Sequence, residues 1–504
     1  MDKYGPFAGP VHAHAESGYD AVAIIDERGP ITYAELDRQS NALVRAWQAD
    51  GITSDSVMGA MCRNHRGLVL TMLAAAKNGT KLVLMNTGFA RPQLVDVAAR
   101  EKVVAFVYDD EFADIADALP DDVVVYRSWP EGTAADGSTA ATLDEAIAGR
   151  TTSSVRHPRR TVVSSSSPAG LRELPRVRRV ATPPLASAQF LDRVPLRRGQ
   201  TMMMAAPAFH GTGVSQFALA LALGQTVVMH RKFDPENTIK LVAQYKCDSL
   251  VVVPTMLTRI IDLGPEVLSQ YDTSNLKIIF SAGSSLSPDL CKRVTASFGY
   301  VLYNLYGSTE VAVATVAHED LTIAPGTAGR APVTCHVELF DENNKKITTP
   351  HTIGRIFVAS GLSFEGYTDG RDKERIDGLL STGDVGHFDA NGLLFVDGRD
   401  DDMIVSGGEN VYPLEVENLL ADREDVLEAA VIGVEDADFG HRLRAFVVVA
   451  HGADQNSEEL KDHVRSNLAR YKVPREIVFI DELPRNATGK LLRRVLIEME
   501  ISEG

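Results

Sequence analysis

Short β-rich runs alternate with helical patterns through the first half of the chain, and this alternation constrains the fold more than any other feature. A first series reads AVAIID, TYAELDRQSNALVRAWQ, VMGAMC, GLVLTMLAAAKNG and KLVLMN, and a second reads TMMMAAPA, QFALALALG, QTVVMH, NTIKLVAQY, SLVVVP and LKIIFSAG. Strands that alternate with helices form βαβ units with parallel sheets. The sequence therefore predicts an α/β fold with two βαβ-type subdomains.

The pattern changes twice in the second half. After PGTAGRAPVT, the runs HVELFDENN, GRIFVAS and GLLFVDG follow one another without helices, which predicts an antiparallel, small β-barrel-like sheet. Beyond GRDDDMIVSGGENVYP, helical and strand patterns alternate again over the length of a small domain. We expect a large N-terminal domain, residues 1–398, and a small α+β C-terminal domain, residues 399–504.

Charge and cysteine content exclude several classes of partner. The chain has 51 Lys and Arg against 68 Asp and Glu, and its net charge of −17 repels nucleic acid and anionic lipid. Its four cysteines show no metal-binding spacing, which favours a reducing compartment over a disulfide framework. The N-terminus lacks signal-peptide blocks and no apolar run reaches membrane-spanning length, so we expect a cytoplasmic protein without a transmembrane segment.

The motif NLYGSTE, Asn304 to Glu310, combines groups that suit a nucleotide. The Tyr306 ring offers a flat surface for a base, Gly307 permits close backbone approach, and the oxygens of Thr309 and Glu310 are of the kind that bind Mg²⁺. The alternative is a loop that enters a helix, with a hydroxyl side chain as its cap.

A longer motif, STGDVGHFDANGLLFVDGRDDD, places Asp384 beside glycine and Arg399 on the following run. A carboxylate accepts two ribose hydroxyl bonds, and an arginine on the next strand can reach the same sugar. A hairpin that turns at DANG is the alternative, and it explains the middle of the motif but not both polar ends.

Three further motifs have weaker individual signals. PRNATGKLLRR places Lys490 behind a glycine at the start of a terminal helix, where a lysine is more often a solvated charge. APAFHGTG contains His210, for which a buried core histidine is the alternative. SAGSSLS follows an apolar strand, so Gly283, Ser284 and Ser285 either line a ligand or form an ordinary strand-to-helix turn.

Together, in this order, these motifs resemble the adenylate-forming superfamily and, within it, the fatty acyl-CoA synthetases. The resemblance runs from ITYAELDRQSNALVRAW to NATGKLLRR. It implies a mobile C-terminal domain and two half-reactions: a carboxylic acid and Mg-ATP give acyl-adenylate and pyrophosphate, and the thiol of CoA then displaces AMP. ATP, Mg²⁺ and CoA are thus the expected cofactors and co-substrates, and a homodimer is left open.

The resemblance also implies a role for each matched residue. Tyr306 would stack on adenine near Asn304, Gly307, Gly283, Ser284 and Ser285. Thr309 would contact the α-phosphate, and Glu310 would hold the metal. Asp384 and Arg399 would hold the ribose, Asp401 would be the hinge, His210 would gate the acyl pocket, and Lys490 would be the adenylation lysine. Gly407 and Gly408 would leave space for the pantetheine arm of CoA.

One segment departs from the family pattern. A phosphate loop of the form TSGTTGxPKG should stand where SSSSPAGLRELPR stands, residues 164–176. Such loops bind polyphosphate through backbone N–H groups and hydroxyls, whereas prolines remove donors and fix φ. A chain with this loop as written is expected to bind ATP poorly, so a catalytically impaired homologue that binds nucleotide or acyl chain is one alternative function.

A local frameshift is our explanation of this segment. Permitted codons for residues 167–178, when read from the third base, spell TSGTTGTPKGA, which recovers the family loop at its expected place. A truly degenerate surface loop is the alternative.

For the acyl substrate, small and apolar residues around His210 and after Tyr306 favour a medium- or long-chain fatty acid. A ligase that loads the thiol of a carrier protein is a second alternative function.

Overall fold

The computed structural model describes residues 4–131, 140–156, 163–165, 177–178, 191–209, 211–283, 286–307, 314–360, 366–367, 373–406, 409–436, 440–450, 452–486 and 490–499. The chain divides into two compact units. The first comprises residues 1–174, 196–252 and 262–279, and the second comprises residues 175–195, 253–261 and 280–504.

The first unit contains a six-stranded parallel sheet. Its strands, in the order in which they lie side by side, are β7 (Ala141–Thr142), β6 (Val124–Trp129), β5 (Ala105–Asp109), β3 (Val57–Met61), β4 (Lys81–Leu84) and β8 (Val163–Ser165). Helices α3 (Arg66–Asn78) and α4 (Arg91–Glu101) connect β3 to β4 and β4 to β5, which gives the predicted βαβ units. Strand β5 is buried along its whole length, as expected for a strand covered on both faces.

Five more strands lie side by side in the same unit, in the order β12 (Ser249–Val252), β10 (Thr201–Met204), β11 (Thr226–Met229), β1 (Val22–Asp26) and β2 (Gly29–Thr32). Only the β1–β2 pairing among them is antiparallel. The remaining helices of this unit are α1 (Gly5–Glu16), α2 (Tyr33–Ala49), α5 (Ala113–Ala116), α6 (Leu143–Ile147), α7 (Gly211–Ala222), α8 (Pro235–Gln244) and α10 (Gly264–Leu268), with a 3-10 turn at Asp110–Phe112.

Local capping explains where these helices begin and end. Thr32 accepts a hydrogen bond from the Glu35 backbone while the Glu35 side chain returns to Thr32, so a capping box starts α2. Helix α3 ends at Gly79, whose φ of 78° is the left-handed conformation that glycine adopts readily.

The second unit contains an antiparallel sheet of six strands. They are β17 (Lys346–Ile347), β16 (Cys335–Phe340), β18 (Gly354–Ser360), β21 (Leu379–Phe388) and β20 (Arg375–Ile376) in that order, with β22 (Leu394–Arg399) paired to β21. Strand β13 (Ile278–Ala282) spans the boundary between the units. The second unit also contains α9 (Pro254–Ile261), α11 (Pro288–Phe298), the antiparallel pair β14 (Leu302–Tyr306) and β15 (Thr315–Ala317), α12 (Asp320–Ile323), and a β9 (Val177–Arg178) to β19 (Gly366–Tyr367) pair.

The C-terminal part of the second unit forms its own sheet, in the order β24 (Glu409–Val411), β23 (Ile404–Ser406), β26 (Gly440–Val449) and β25 (Val426–Asp436), with β27 (Glu476–Phe479) beside β26. Helices α13 (Pro413–Ala421), α14 (Ser457–Asn467) and α15 (Arg493–Glu498) and a 3-10 turn at Arg470–Lys472 complete it. Alternate residues of β25 and β26 belong to two separate apolar clusters, so each face of this sheet has a core.

The predicted fold class is confirmed: a mixed α/β chain has a large N-terminal domain of parallel sheets and a small C-terminal domain. The boundary between residues 1–398 and 399–504 and the hinge near Asp401 stay predictions. Within the described residues, no helix combines the length and apolarity needed to cross a membrane.

Candidate active site

The β21–β22 hairpin positions two of the predicted ligand-binding side chains. Asp384 and Arg399 are directly paired across the two strands. The hairpin turns at Asp389, whose carboxylate accepts the backbone N–H groups of Asn391 and Leu393 at 2.9 and 2.7 Å. The hairpin interpretation of this motif therefore applies, and the turn at DANG brings the two polar ends together; binding of ribose by Asp384 and Arg399 stays a prediction.

Asp384 is buried and has two charged or polar partners. The Tyr306 hydroxyl donates to its Oδ2 at 2.6 Å, and Arg399 Nη1 donates to its Oδ1 at 3.1 Å. Burial raises the pKa of Asp384, while the bonds from Tyr306 and Arg399 oppose that shift. Burial and the adjacent Asp384 carboxylate raise the pKa of Tyr306 well above its usual value, so its hydroxyl stays a donor.

Arg399 is shared between two carboxylates. Its Nε donates to Asp401 Oδ1 at 3.0 Å, while its Nη1 serves Asp384. Burial opposes the charge of this guanidinium, but the bonds to Asp401 and Asp384 outweigh it and raise the pKa of Arg399. The predicted hinge residue and the predicted ribose carboxylate are thus held by one cation.

A cavity of about 360 Å³ opens beside Arg399, within the range of natural ligand pockets. Its lining residues are charged or small: Lys373, Glu374, Ser381, Gly383, Arg399, Asp400 and Asp401. Lys373 donates to the Thr382 carbonyl at 2.9 Å and so lies against the strand that bears Asp384. The sequence interpretation did not assign Lys373, Glu374 or Ser381 to the site. Ser381 opens the motif that contains Asp384, whereas Lys373 and Glu374 lie in a run of mixed charges that resembles an ordinary loop.

Strand β14 brings Tyr306 to the hairpin. The strand ends at Tyr306, and the exposed Gly307 follows it. Asn304 is buried on the same strand, and its side-chain nitrogen donates to the Thr327 carbonyl at 3.1 Å, which fixes the strand's end. Gly283, directly after β13, has a φ of 109° that favours glycine, as a turn at the end of a strand requires.

Lys490 is exposed and lies shortly before α15, next to an antiparallel bridge between Arg485 and Leu491. Its backbone N–H donates to Asn486 Oδ1 at 2.9 Å, and the Asn486 N–H donates to the Lys490 carbonyl at 2.9 Å. Lys490 does not line the cavity beside Arg399, as far as the described residues show.

Several predicted site residues lie outside the described residues. They are His210, Ser284, Ser285, Thr309, Glu310, Gly407 and Gly408. The loop before His210 is described, and the buried Asn64 holds it by donating to the Ala206 carbonyl at 2.9 Å and accepting the Ala208 N–H at 2.7 Å. Asn64 was also missed, because its partners lie more than a hundred residues away in sequence.

Two family models match the chain. The AMP-binding enzyme model matches residues 11–169 and 183–368, so residues 170–182 fall between its two matched segments. The model of the AMP-binding enzyme C-terminal domain matches residues 415–490.

Individual proteins match over nearly the whole chain. An indoleacetate–CoA ligase of Aromatoleum aromaticum is 31% identical over 95% of both chains. The fatty acid–[acyl-carrier-protein] ligase ScoC of Streptomyces coeruleorubidus is 27% identical over 96% of this chain and 94% of its own. The structure of the amide bond synthetase McbA from Marinactinospora thermotolerans is 25% identical, with a TM-score of 0.82 over 97% of this chain and 99% of that chain.

Proposed function

The chain belongs to the AMP-binding enzyme family of the adenylate-forming superfamily, and from that premise we propose that it is an ATP-dependent acid–thiol ligase. It would convert a carboxylic acid to the acyl-adenylate with release of pyrophosphate, and then transfer the acyl group to CoA with release of AMP. The observation that carries the proposal is the grouping of Tyr306, Asp384 and Arg399, of which Arg399 lines a cavity.

This grouping suits a nucleoside. The ionised Asp384 carboxylate can accept hydrogen bonds from two ribose hydroxyls. The positive charge of Arg399 stabilises the negative charge of Asp384 at this buried position. Tyr306 lies next to this carboxylate, so its ring would lie against the base while the sugar meets Asp384. The site would thus recognise base and sugar through adjacent side chains.

Charge explains why the first step needs a lysine. In that step a carboxylate oxygen forms a bond to the α-phosphorus, and the bond from that phosphorus to pyrophosphate breaks. Two anions meet and charge moves onto the leaving group, so a cation there stabilises the transition state. Lys490 is an exposed point charge on the small C-terminal domain, which suits a group needed in one half-reaction only.

The Lys490→Ala variant tests this division of labour. We expect pyrophosphate release from acid and ATP to fall by about a hundredfold or more, while CoA thioester formation from supplied acyl-adenylate is retained. Lys461→Ala is the matched control, because it removes a lysine of the same domain that pairs with Glu458 at 2.8 Å on α14. An equal loss of both half-reactions in the Lys490 variant would contradict the assignment.

We propose a medium- or long-chain fatty acid as the substrate, on the strength of the small and apolar residues near His210 and Tyr306. An aromatic acid is the second candidate, favoured by the similarity to an indoleacetate–CoA ligase. Pyrophosphate release should be measured with octanoate, palmitate, indoleacetate and benzoate under identical conditions. Release with the aromatic acids alone would refute the fatty-acid assignment.

An assay of thioester formation decides the acceptor. With CoA as acceptor we expect thioester formation, and a carrier protein with its pantetheine arm is the comparison suggested by the similarity to ScoC. Transfer to the carrier but not to CoA would replace the CoA ligase with a carrier-loading ligase.

A further inference from the structure

The Arg493 side chain joins segments that are distant in sequence. It lies three residues beyond Lys490, at the start of α15. Its Nη1 and Nη2 contact Glu417 at 2.6 and 3.1 Å, and its Nη1 also donates to the Val431 carbonyl at 2.6 Å. Its Nε lies 3.3 Å from Asp402 Oδ2.

The Glu417 carboxylate fixes the position of the Arg493 guanidinium. Glu417 is buried on α13 and also accepts the Val431 backbone N–H at 2.7 Å. A two-pronged bond between a guanidinium and a buried carboxylate fixes orientation as well as distance. The position of Arg493 is therefore set by α13 and β25 together.

The contact with Asp402 connects Arg493 to the predicted hinge residue, Asp401. Asp402 directly follows Asp401, and its backbone N–H donates to the Arg399 carbonyl at 3.3 Å. One guanidinium therefore lies between the backbone next to the hinge and the core of the C-terminal domain.

Lys490 lies close to Arg493 along the chain. The Leu492 N–H donates to the Pro484 carbonyl at 2.8 Å, directly before Arg493. Three residues span at most about 11 Å even when fully extended, so the Cα of Lys490 stays within that distance of the Cα of Arg493. Arg493 is thus joined to Lys490 by a short segment that is itself hydrogen-bonded to Pro484.

We propose that Arg493 is a positioning residue for Lys490. Its side chain links the segment that carries the lysine to Asp402 and hence to the backbone at the hinge. This inference rests on the proposed function, because it takes Lys490 as the adenylation lysine and Asp401 as the hinge. Through this link, a rotation at Asp401 moves the lysine as part of one rigid body.

The experiment removes the hinge side of the link and leaves the buried side intact. Asp402→Ala deletes a side chain that is 37% exposed, without touching the Glu417 pair, and Asp402→Asn keeps an acceptor for Arg493. Glu498→Ala is the matched control, since it breaks the pair that the neighbouring Arg494 makes at 2.6 Å on the same helix. Each full-length variant is measured for pyrophosphate release, for thioester formation from supplied acyl-adenylate, and for hydrogen exchange of residues 484–492.

We expect Asp402→Ala to lower the kcat of pyrophosphate release by about tenfold with little change in the KM for ATP. Thioester formation should stay within about twofold, the 484–492 amides should exchange faster, and Asp402→Asn should recover part of the loss. Glu498→Ala should leave all three measurements unchanged.

Two results would overturn the proposal. Unchanged exchange and unchanged kcat in Asp402→Ala would show that the contact positions nothing, and an equal fall in both half-reactions would reduce it to a general structural contact. Failure of the proposed function is distinguishable, because a chain with residues 167–177 exchanged for TSGTTGTPKGA would then still release no pyrophosphate with any acid, while exchange at residues 484–492 still reports on the link.

Discussion

At the scale of single residues, the site depends on how one buried carboxylate is kept ionised. Asp384 is 9% exposed, and burial alone favours its neutral form. The Tyr306 hydroxyl and the Arg399 guanidinium both stabilise the charged form, at 2.6 and 3.1 Å. Nucleotide affinity should therefore depend on pH through Asp384.

Tyr306→Phe tests this dependence while it keeps the ring for a base. The hydroxyl lowers the pKa of Asp384, so its removal raises that pKa and the neutral form appears at higher pH. We expect the KM for ATP to rise roughly tenfold at neutral pH. The acid limb of a KM profile between pH 5 and 8 should move to higher pH. A uniform rise in KM at every pH would instead indicate lost packing.

Gly383 is a second residue whose identity the site requires. Its φ is 79°, and a Cβ there would lie 3.2 Å from Arg399 Nη2. Gly378 is a matched control, because its φ of 83° is similar but a Cβ there would meet no atom within 4 Å.

Both alanine substitutions should lower the free energy of unfolding by about 1–2 kcal/mol, since both place a side chain in the left-handed region. Only Gly383→Ala should also raise the KM for ATP, by roughly fivefold, because it displaces Arg399. Thermal unfolding and steady-state kinetics of the two variants separate these effects. An equal KM for ATP in both variants would show that the Arg399 guanidinium shifts without weakening nucleotide binding.

At the scale of elements, the sequence predicted what depends on local pattern. The alternation of runs identified the strands and helices of the two α/β subdomains, and DANG identified the turn between β21 and β22. Strand pairing within that hairpin then follows from the turn, which is why Asp384 and Arg399 could be grouped in advance.

The contacts that complete the site depend on tertiary structure and were not predictable. Tyr306 and Asp384 are 78 positions apart, and nothing in either motif specifies that β14 ends beside β21. Asn64 and Ala206 are 142 positions apart, and a buried amide between two loops leaves no periodic pattern. Arg493 resembles its neighbour Arg494 in sequence, yet only Arg493 reaches Glu417.

At the scale of the whole molecule, the proposed adenylation would need a phosphate loop in a segment of which residues 166–176 lie outside the described residues. The family model is interrupted between residues 169 and 183, which overlaps the segment, residues 167–178, that we interpret as a frameshifted phosphate loop. Resequencing the gene across this region tests that interpretation directly. A continuous, error-free frame would make the loop as written real and would favour the impaired homologue.

Exchange of residues 167–177 for TSGTTGTPKGA tests the consequence in the protein. We expect the repaired chain to release pyrophosphate at least about a hundredfold faster than the chain as written, because backbone N–H donors and a lysine return to the polyphosphate site. A composition-matched control has the same eleven residues in scrambled order. Equal rates for the original and repaired chains would contradict the need for this loop.

The sharing of Arg399 between Asp384 and Asp401 has a thermodynamic consequence. Because one guanidinium serves both carboxylates, a sugar that engages Asp384 alters the strength of the bond to Asp401. Coupling between two equilibria is reciprocal. If bound nucleotide shifts the conformational equilibrium at Asp401 by some factor, the same conformational change shifts nucleotide affinity by that factor. If Asp384 binds ribose and Asp401 is the hinge, as proposed, release of AMP and reorientation of the backbone at residue 401 share one coupling free energy.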